Sequence, residues 1–204
     1  MKATSSSRFL LLCGVSGVGK TTILEKLCCC DHSFTPVPTF TTRHLRPGER
    51  HKVCVKLQEI EKMQKVGAIL FRTEIYGAVY GTPRYPIEAT LQKGCFPVLE
   101  WPVENINAMQ RLIAKIFTVY LKPPSLYEWM RRLSTDERDH DESRLKKGLR
   151  ELQEIEAGRW KDDVKLFLVN DHPISTAELI RNKVQECVDA FQLSMDCKFT
   201  DSAA

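Results

Sequence analysis

One stretch, RFLLLCGVSGVGKTTILEKL at residues 8–27, constrains the fold of this chain more than any other. A short apolar run leads into a glycine-rich turn with the spacing G-x-x-x-x-G-K-[ST], and a helical apolar pattern follows. Such a turn curls so that several backbone N–H groups point at one anion, and the helix start adds its positive end. Without a ligand the pattern would be a plain strand-to-helix turn, but the flanking strand and helix favour phosphate binding.

The residue types in this turn predict a nucleotide site. Lys20 can reach the outer phosphates of a nucleotide, and the Thr21 hydroxyl suits a Mg²⁺ ion. The predicted nucleotide-binding residues are Gly14, Ser16, Gly17, Val18, Gly19, Lys20, Thr21 and Thr22.

Length and composition indicate an ordinary globular chain. Its 204 residues, 43% of them hydrophobic, predict a single domain with a small inserted part. A net charge of +4 is too small to indicate nucleic-acid binding. No apolar run approaches the ~20 residues of a membrane span, and we expect no signal peptide. The eight cysteines, three of them consecutive at 28–30, form no metal-binding pattern, so reduced thiols in a cytoplasmic protein are expected.

Strand and helix patterns alternate along most of the chain, which predicts an α/β fold with a parallel sheet and right-handed crossovers. Residues 37–83 differ, because short strands there follow one another, and they indicate a small, partly antiparallel insertion. The expected core is 8–36, 84–133 and 143–191, with a polar segment at 134–142. Within this plan, 31–38 favours turns, 76–83 favours a turn or an edge strand, and the tail from Gln192 favours a frayed end.

An acid ends one of the apolar strands, in FPVLEW. Ligands of open α/β sheets bind beyond the carboxyl ends of the strands, where a carboxylate can hold Mg²⁺ or its water. Glu100 is therefore a predicted metal ligand together with Thr21, and Glu104 is the alternative.

Two arginines lie three residues apart in the loop TTRHLRPGE. Arg43 and Arg46 can hold one phosphate through paired, charge-assisted bonds. The alternative is a solvated basic loop whose arginines pair with Glu49. Since the chain already has one predicted phosphate site, we expect a second anion site here.

The polar segment at 134–142 carries Arg138, and Arg144 follows at the start of the next helix. Mobile segments with arginines exclude water and stabilise the charge of a transferring phosphoryl group. With Lys20 and Arg43, these two arginines are the predicted catalytic residues.

Several motifs together resemble the guanylate kinase family, in unbroken order over roughly residues 8–186. They are the phosphate loop GVSGVGKTTILEKL, the acceptor-phosphate loop FTTRHLRPGE, TEIYGAVYGTP with Tyr80, Gly81 and Thr82, YLKPPSLYEWMRRL before the lid, RLKKGLREL after it, and FLVND with Asn170. The resemblance implies a P-loop NTPase core, an acceptor-binding insertion at 37–83 and a helical lid at 134–142. It also implies that Tyr80 and Thr82 contact the acceptor and that Asn170 lies near the adenine of ATP.

The departures from the family pattern cluster in the part that reads the acceptor's base. The guanine-recognising glutamate of the family falls at Phe71, and a tyrosine that helps to hold the acceptor phosphate falls at Val55. Thr39 occupies the position of a serine that helps to read the base in the family. Pro102 occupies the position of a second acid after Glu100. Glu74 is a substitute reader of the base, although on a strand it would face away from Phe71.

The resemblance implies an ATP- and Mg²⁺-dependent kinase that transfers a γ-phosphoryl group to the phosphate of a small acceptor, nominally GMP or dGMP. Predicted acceptor-binding residues are Thr39, Arg43, Arg46, Phe71, Glu74, Tyr80, Thr82 and Glu100. Because the base-reading residues are altered, one alternative is a kinase for another phosphorylated acceptor, such as a sugar phosphate resembling ribose 1,5-bisphosphate. The other is a catalytically weak binding module of the same fold. The expected partner is a small phosphorylated molecule, neither nucleic acid nor a membrane, and the oligomeric state is left open.

Overall fold

The computed structural model describes residues 9–46, 48–113, 115–134 and 143–200, and for 191–200 the backbone alone. The described residues form nine strands: β1 (Leu10–Cys13), β2 (Phe34–Pro36), β3 (Thr39–Thr41), β4 (Lys52–Cys54), β5 (Ile69–Ile75), β6 (Ala78–Pro83), β7 (Phe96–Glu100), β8 (Phe117–Lys122) and β9 (Leu166–Val169).

Seven α-helices connect or follow these strands in the described part of the chain. They are α1 (Lys20–Cys30), α2 (Leu57–Lys65), α3 (Arg84–Gln92), α4 (Ile106–Leu112), α5 (Leu126–Ser134), α6 (Ser143–Glu156) and α7 (Pro173–Thr200). A short 3₁₀ helix, Val103–Asn105, precedes α4.

The core is one parallel sheet in the order β2-β7-β1-β8-β9. Strand β1 is its centre, and all four of its residues are buried. Since side chains alternate along a strand, Leu10 and Leu12 pack into one apolar layer while Leu11 and Cys13 pack into the other. Helices therefore cover both faces of the sheet, and the predicted α/β class with a parallel sheet is confirmed.

The sequence does not predict β2, because DHSFTPVP favours turns. Phe34–Pro36 nevertheless pairs in parallel with β7 at the edge of the sheet. Phe34 is buried and stacks on Phe96 with 5.1 Å between ring centroids. An edge strand tolerates Pro36, since the missing N–H can face away from the ladder. Pairing with β7 thus determines the extended conformation of residues 34–36.

The insertion forms a second sheet in the order β4-β3-β6-β5. Strands β3 and β4 are parallel, whereas β3–β6 and β5–β6 are antiparallel. Of residues 76–83, for which a turn or edge strand is predicted, Tyr76 and Gly77 form a turn, whereas 78–83 form β6, an internal strand of this sheet. Helix α2 packs on the sheet through the buried Ile60.

The C-terminal helix α7 packs against α1, with Ile180 and Val184 fully or almost fully buried. Its backbone stays helical to Thr200, beyond the point where a frayed end is predicted. Of the predicted lid at 134–142, all but Ser134 lies outside the described residues, and Arg138 with it. Among the described helices, none combines the length and the apolar character needed to cross a membrane.

Candidate active site

The turn between β1 and α1 depends on its glycines. Gly14, Gly17 and Gly19 have φ values of 138°, 81° and 100°, which residues with a side chain rarely adopt. Space is also limited, because a Cβ on Gly14 would lie 2.5 Å from the Leu121 carbonyl oxygen. A Cβ on Gly19 would lie 2.6 Å from Nδ2 of Asn170. The loop is therefore seated directly on the ends of β8 and β9.

Lys20 lies at the start of α1 and folds back over this loop. Its Nζ donates hydrogen bonds to the carbonyl oxygens of Gly14 at 2.6 Å and Val15 at 3.0 Å. Burial lowers the pKa of Lys20, and the carboxylates of Glu100 and Glu151 oppose that shift. The ammonium group is thus held at the mouth of the loop among groups that favour its charged form.

Asn170 follows β9 and lies beneath the loop. It is 1% exposed, and its Nδ2 donates to the Val18 carbonyl oxygen at 2.8 Å. Its Oδ1 is buried and has no hydrogen-bond partner among the described residues. The observed role of Asn170 is to support the loop backbone; its predicted proximity to adenine stays a prediction.

Two helices that flank the predicted lid pack over Ser16. Trp129 of α5 donates from Nε1 to the Ser16 carbonyl oxygen at 2.7 Å. Arg144 of α6 is 5% exposed and donates from Nε to the Ser16 hydroxyl at 3.2 Å, with a second bond from Nη2. The helices approach closely because position 148 is glycine: a Cβ there would lie 2.4 Å from the Trp129 ring. The structure therefore places Arg144 at the loop, where its predicted catalytic role stays a prediction, whereas Arg138 is not described.

The predicted metal ligands lie on neighbouring elements. Thr21 is exposed in the first turn of α1. Glu100 ends β7, where it pairs in register with Leu12 of β1. Within the described residues no group of three or more His, Cys, Asp or Glu side chains could hold an ion alone. One hydroxyl and one carboxylate still fit Mg²⁺, since this ion keeps several waters and takes phosphate oxygens as ligands.

Arg43 is fixed by its own loop and by β6. Its Nε donates to the Tyr80 hydroxyl at 3.0 Å, and its Nη1 donates to Glu49 Oε2 and to the His44 carbonyl oxygen, both at 2.8 Å. Its Nη2 donates to Glu49 Oε1. Although burial opposes it, the hydrogen bond from Arg43 is the main reason that the pKa of Glu49 falls to about 2. The pairing with Glu49, considered above as the alternative, is therefore present inside the candidate site.

Arg46 is held less firmly than Arg43. Its Nη1 lies 4.0 Å from Glu49 Oε1, and 43% of its side chain is exposed. Burial and the positive charge of Arg43 lower its pKa, and Arg144 acts in the same direction. Three guanidinium groups thus repel one another here, and a bound anion would relieve that repulsion.

A cleft of about 850 Å³ joins the phosphate loop to the insertion. Ten of the predicted site residues line it: Gly14, Ser16, Lys20, Thr39, Arg43, Arg46, Tyr80, Thr82, Glu100 and Arg144. Six lysine and arginine side chains line this cleft: Lys20, Arg43, Arg46, Lys52, Arg144 and Lys147. Three carboxylates do so: Glu100, Glu104 and Glu151. The excess of cations makes it a site for an anionic ligand.

Phe71 and Glu74, both predicted to bind the acceptor, do not line the cleft. Phe71 packs edge-on against Trp101, with ring centroids 4.7 Å apart. Glu74 is exposed on the opposite face of β5, because neighbouring strand positions alternate. Thr73, between them, lines the cleft and accepts a hydrogen bond from Nδ2 of Asn105 at 3.2 Å. Val55, the departure from the family's tyrosine, lines a separate small hollow.

Sequence reasoning missed the residues that α6 contributes besides Arg144. Lys147 Nζ lies 2.7 Å from Glu104 Oε1 and 5.3 Å from the centroid of the Tyr76 ring. Burial raises the pKa of Glu151, which accepts a hydrogen bond from the Tyr120 hydroxyl at 2.8 Å. Positions 144, 147 and 151 share one helix face, so helical periodicity starting from Arg144 could have identified Lys147 and Glu151.

Comparisons with known proteins agree in pointing to one family. A family model described as guanylate kinase matches residues 6–185. The guanylate kinase of Parasynechococcus marenigrum is 33% identical over 168 residues, which cover 78% of this chain and 92% of that protein. The guanylate kinase of Deinococcus radiodurans is 34% identical over 167 residues, covering 80% and 68% respectively.

A solved structure shows the same fold. The guanylate kinase from Anaplasma phagocytophilum matches with a TM-score of 0.68 and 23% identity, covering 89% of this chain and 85% of that one.

Proposed function

The chain belongs to the guanylate kinase family, and from that premise we propose that it transfers the γ-phosphoryl group of ATP to the phosphate of a small acceptor. The observation that carries this proposal is the shared cleft. Lys20 lies on its phosphate-loop side, and Arg43, Arg46 and Tyr80 lie on its insertion side. A donor and an acceptor phosphate can therefore meet in one space.

The proposed chemistry needs positioning and charge more than proton transfer. The attacking oxygen of a phosphate is already anionic, so no general base is required. Lys20 would bridge the transferring phosphates, while Arg43, Arg46 and Tyr80 would hold the acceptor phosphate. Arg144, which already contacts Ser16, would neutralise charge on the transferring group, and Arg138 stays a predicted second arginine for this role.

Thr21 and Glu100 are the residues that would hold Mg²⁺, directly or through its waters. When bound, Mg²⁺ neutralises charge on the phosphates and orients them. Glu100 lines the cleft, where its carboxylate would attract a cation.

The acceptor is nominally GMP or dGMP, but the insertion end of the cleft supports a different preference. Hydroxyls of Thr39, Thr73 and Thr82 line this end together with apolar side chains. The carboxylates elsewhere in the cleft are engaged: Glu104 pairs with Lys147 and Glu151 with Tyr120. Another nucleotide or a phosphorylated sugar is therefore the second candidate acceptor, since such a molecule does not require a carboxylate partner.

A coupled assay of ADP release separates these possibilities. ATP and Mg²⁺ are supplied with each nucleoside monophosphate, each deoxynucleoside monophosphate, ribose 5-phosphate and ribose 1,5-bisphosphate in turn. Acceptor-dependent ADP release supports the kinase and identifies its acceptor. Tight ATP binding without turnover of any acceptor would instead support a binding module and contradict the proposal.

A further inference from the structure

Lys52 lies between the two phosphate sites, and no role has been assigned to it so far. It begins β4 at the edge of the insertion sheet, in register with Thr39 of β3. Its side chain is 18% exposed and lines the cleft. Its Nζ lies 3.4 Å from Glu49 Oε1 and 3.9 Å from Glu100 Oε2.

These two ion pairs connect Lys52 to both halves of the site. Glu49 is the carboxylate that holds Arg43 on the acceptor side. Glu100 is the strand-end acid beside the phosphate loop. Burial lowers the pKa of Lys20, and the positive charge of Lys52 acts in the same direction to a smaller extent. Lys52 therefore occupies the path between the donor lysine and the acceptor arginines.

The ammonium group of Lys52 is held loosely in this position. Its distances of 3.4 and 3.9 Å exceed the 2.8 Å of the Arg43–Glu49 hydrogen bond. A lysine side chain is flexible and has three donors, so Nζ can turn towards a phosphate without breaking a short bond. Glu49 already accepts hydrogen bonds from the Arg43 side chain and the Arg46 backbone. It would therefore keep these partners if Lys52 turned away from it.

We propose that Lys52 is a further phosphate-binding residue of this cleft, whose ammonium group contacts the phosphates that connect the donor site to the acceptor site. This inference rests on the proposed function, because it requires both sites to be used together. The ligand class is a polyphosphate chain extending from the phosphate loop to Arg43 and Arg46. The shorter phosphate chain of a nucleoside triphosphate bound in the donor site alone would contact Lys52 less than a chain that spans both sites.

The test uses adenosine 5′-pentaphosphate, whose phosphate chain can extend from the donor site into the acceptor site without placing a base there. Calorimetry measures its Kd and that of ATP for the full-length wild type, Lys52→Met, Lys52→Arg and Lys62→Met. Lys62 is an exposed lysine on α2, the helix that packs on the same sheet, and serves as the matched control. Lys52→Met should weaken pentaphosphate binding by at least about tenfold. Its ATP affinity should stay within about threefold of wild type, and Lys52→Arg should retain most of the pentaphosphate affinity.

The outcomes separate this inference from the proposed function. A wild type that binds the pentaphosphate no more tightly than ATP contradicts the acceptor site and overturns both. Tight binding by the wild type together with an unchanged Lys52→Met overturns the role of Lys52 alone. A Lys52→Met variant with a lowered Tm and equal losses for both ligands would show that Lys52 only ties Glu49 to Glu100, which also overturns the inference.

Discussion

Arg43, which we propose binds the acceptor phosphate, is oriented by its own neighbours. Of the five N–H donors of a guanidinium group, four are used by Glu49, Tyr80 and the His44 carbonyl. The hydrogen bond with Glu49 is the main cause of the raised pKa of Arg43, so the group stays charged. The plane of the guanidinium group is thus fixed, and little side-chain entropy remains to be lost on binding.

Substituting the two loop arginines separates acceptor binding from ATP binding. Arg43→Ala and Arg46→Ala should each raise the acceptor KM or lower kcat/KM, with ATP affinity nearly unchanged. A charge-assisted contact is worth about 1.5–3 kcal/mol, or roughly 10- to 150-fold. Arg50→Ala, an exposed position of the same loop, is the control. Steady-state kinetics with the best acceptor of the ADP-release assay measure the effect; if neither variant changes them, the acceptor phosphate binds elsewhere.

Lys20→Ala addresses the donor side. We expect turnover to fall below about a tenth of wild type, because the charge of Lys20 is needed in the transition state. The fold should persist, since within the described part of the chain the side chain donates hydrogen bonds only to the loop carbonyls of Gly14 and Val15. Lys26→Ala, an exposed lysine of the same helix, should retain full activity. Circular dichroism checks folding, and a well-folded Lys20→Ala variant with substantial turnover would contradict the role of Lys20.

Helices α5 and α6 both contact the phosphate loop at Ser16. Trp129 donates a hydrogen bond to the backbone of Ser16 and Arg144 donates one to its hydroxyl, so both helices contact the same loop residue. Gly148 allows α6 to reach the Trp129 ring. Because the predicted lid connects these two helices, their packing links its ends to the nucleotide site.

Gly148→Ala tests this packing. Alanine usually stabilises a helix interior relative to glycine by about 0.5–1 kcal/mol. Here its Cβ would lie 2.4 and 2.6 Å from two ring carbons of a fully buried Trp129, and overpacking costs about 1–3 kcal/mol. We expect a net loss of about 1–2 kcal/mol, seen as a Tm lower by ~2–8 °C, together with weaker ATP binding. Gln153→Ala, exposed on the same helix, should change neither, and an unchanged Gly148→Ala would show that α6 can shift without cost.

Local patterns predict this protein well where a short segment determines its own structure. The phosphate loop, the paired arginines of the basic loop and the acid that ends β7 all follow from spacing within one segment. Strand β2 and the internal position of β6 depend on distant partners, so the sequence does not predict them. The position of Phe71 likewise depends on a distant residue, Trp101. The position of Lys52 in the cleft becomes evident only from its ion pairs with Glu49 and Glu100.

At the scale of the whole molecule, two sheets contribute different chemistry to one cleft. The parallel sheet supplies the phosphate loop, Lys20 and Glu100, and the insertion sheet supplies the basic loop and the surface that would meet the rest of the acceptor. Lys147 of α6 connects both, through its ion pair with Glu104 and its contact with Tyr76 at the β5–β6 turn. The predicted phosphate-binding residues are thus mostly retained, with Val55 as the exception, while the other departures from the family pattern cluster at the predicted base-facing surface.

This division predicts that GMP and dGMP are poor substrates. Guanine would present its N1–H and N2–H₂ donors to a surface of threonine hydroxyls and apolar side chains, with Phe71 turned into the packing around Trp101. A threonine hydroxyl accepts a weaker hydrogen bond than a carboxylate would, and each donor left without any partner costs about 1–3 kcal/mol. We expect kcat/KM for GMP to fall orders of magnitude below the roughly 10⁴–10⁸ M⁻¹s⁻¹ of ordinary enzymes, with another phosphorylated acceptor used better. Steady-state assays with GMP and dGMP decide the matter. Efficient turnover of either would show that another cleft carboxylate reads the base, and Glu104, released from Lys147, would be the first to test by Glu104→Gln.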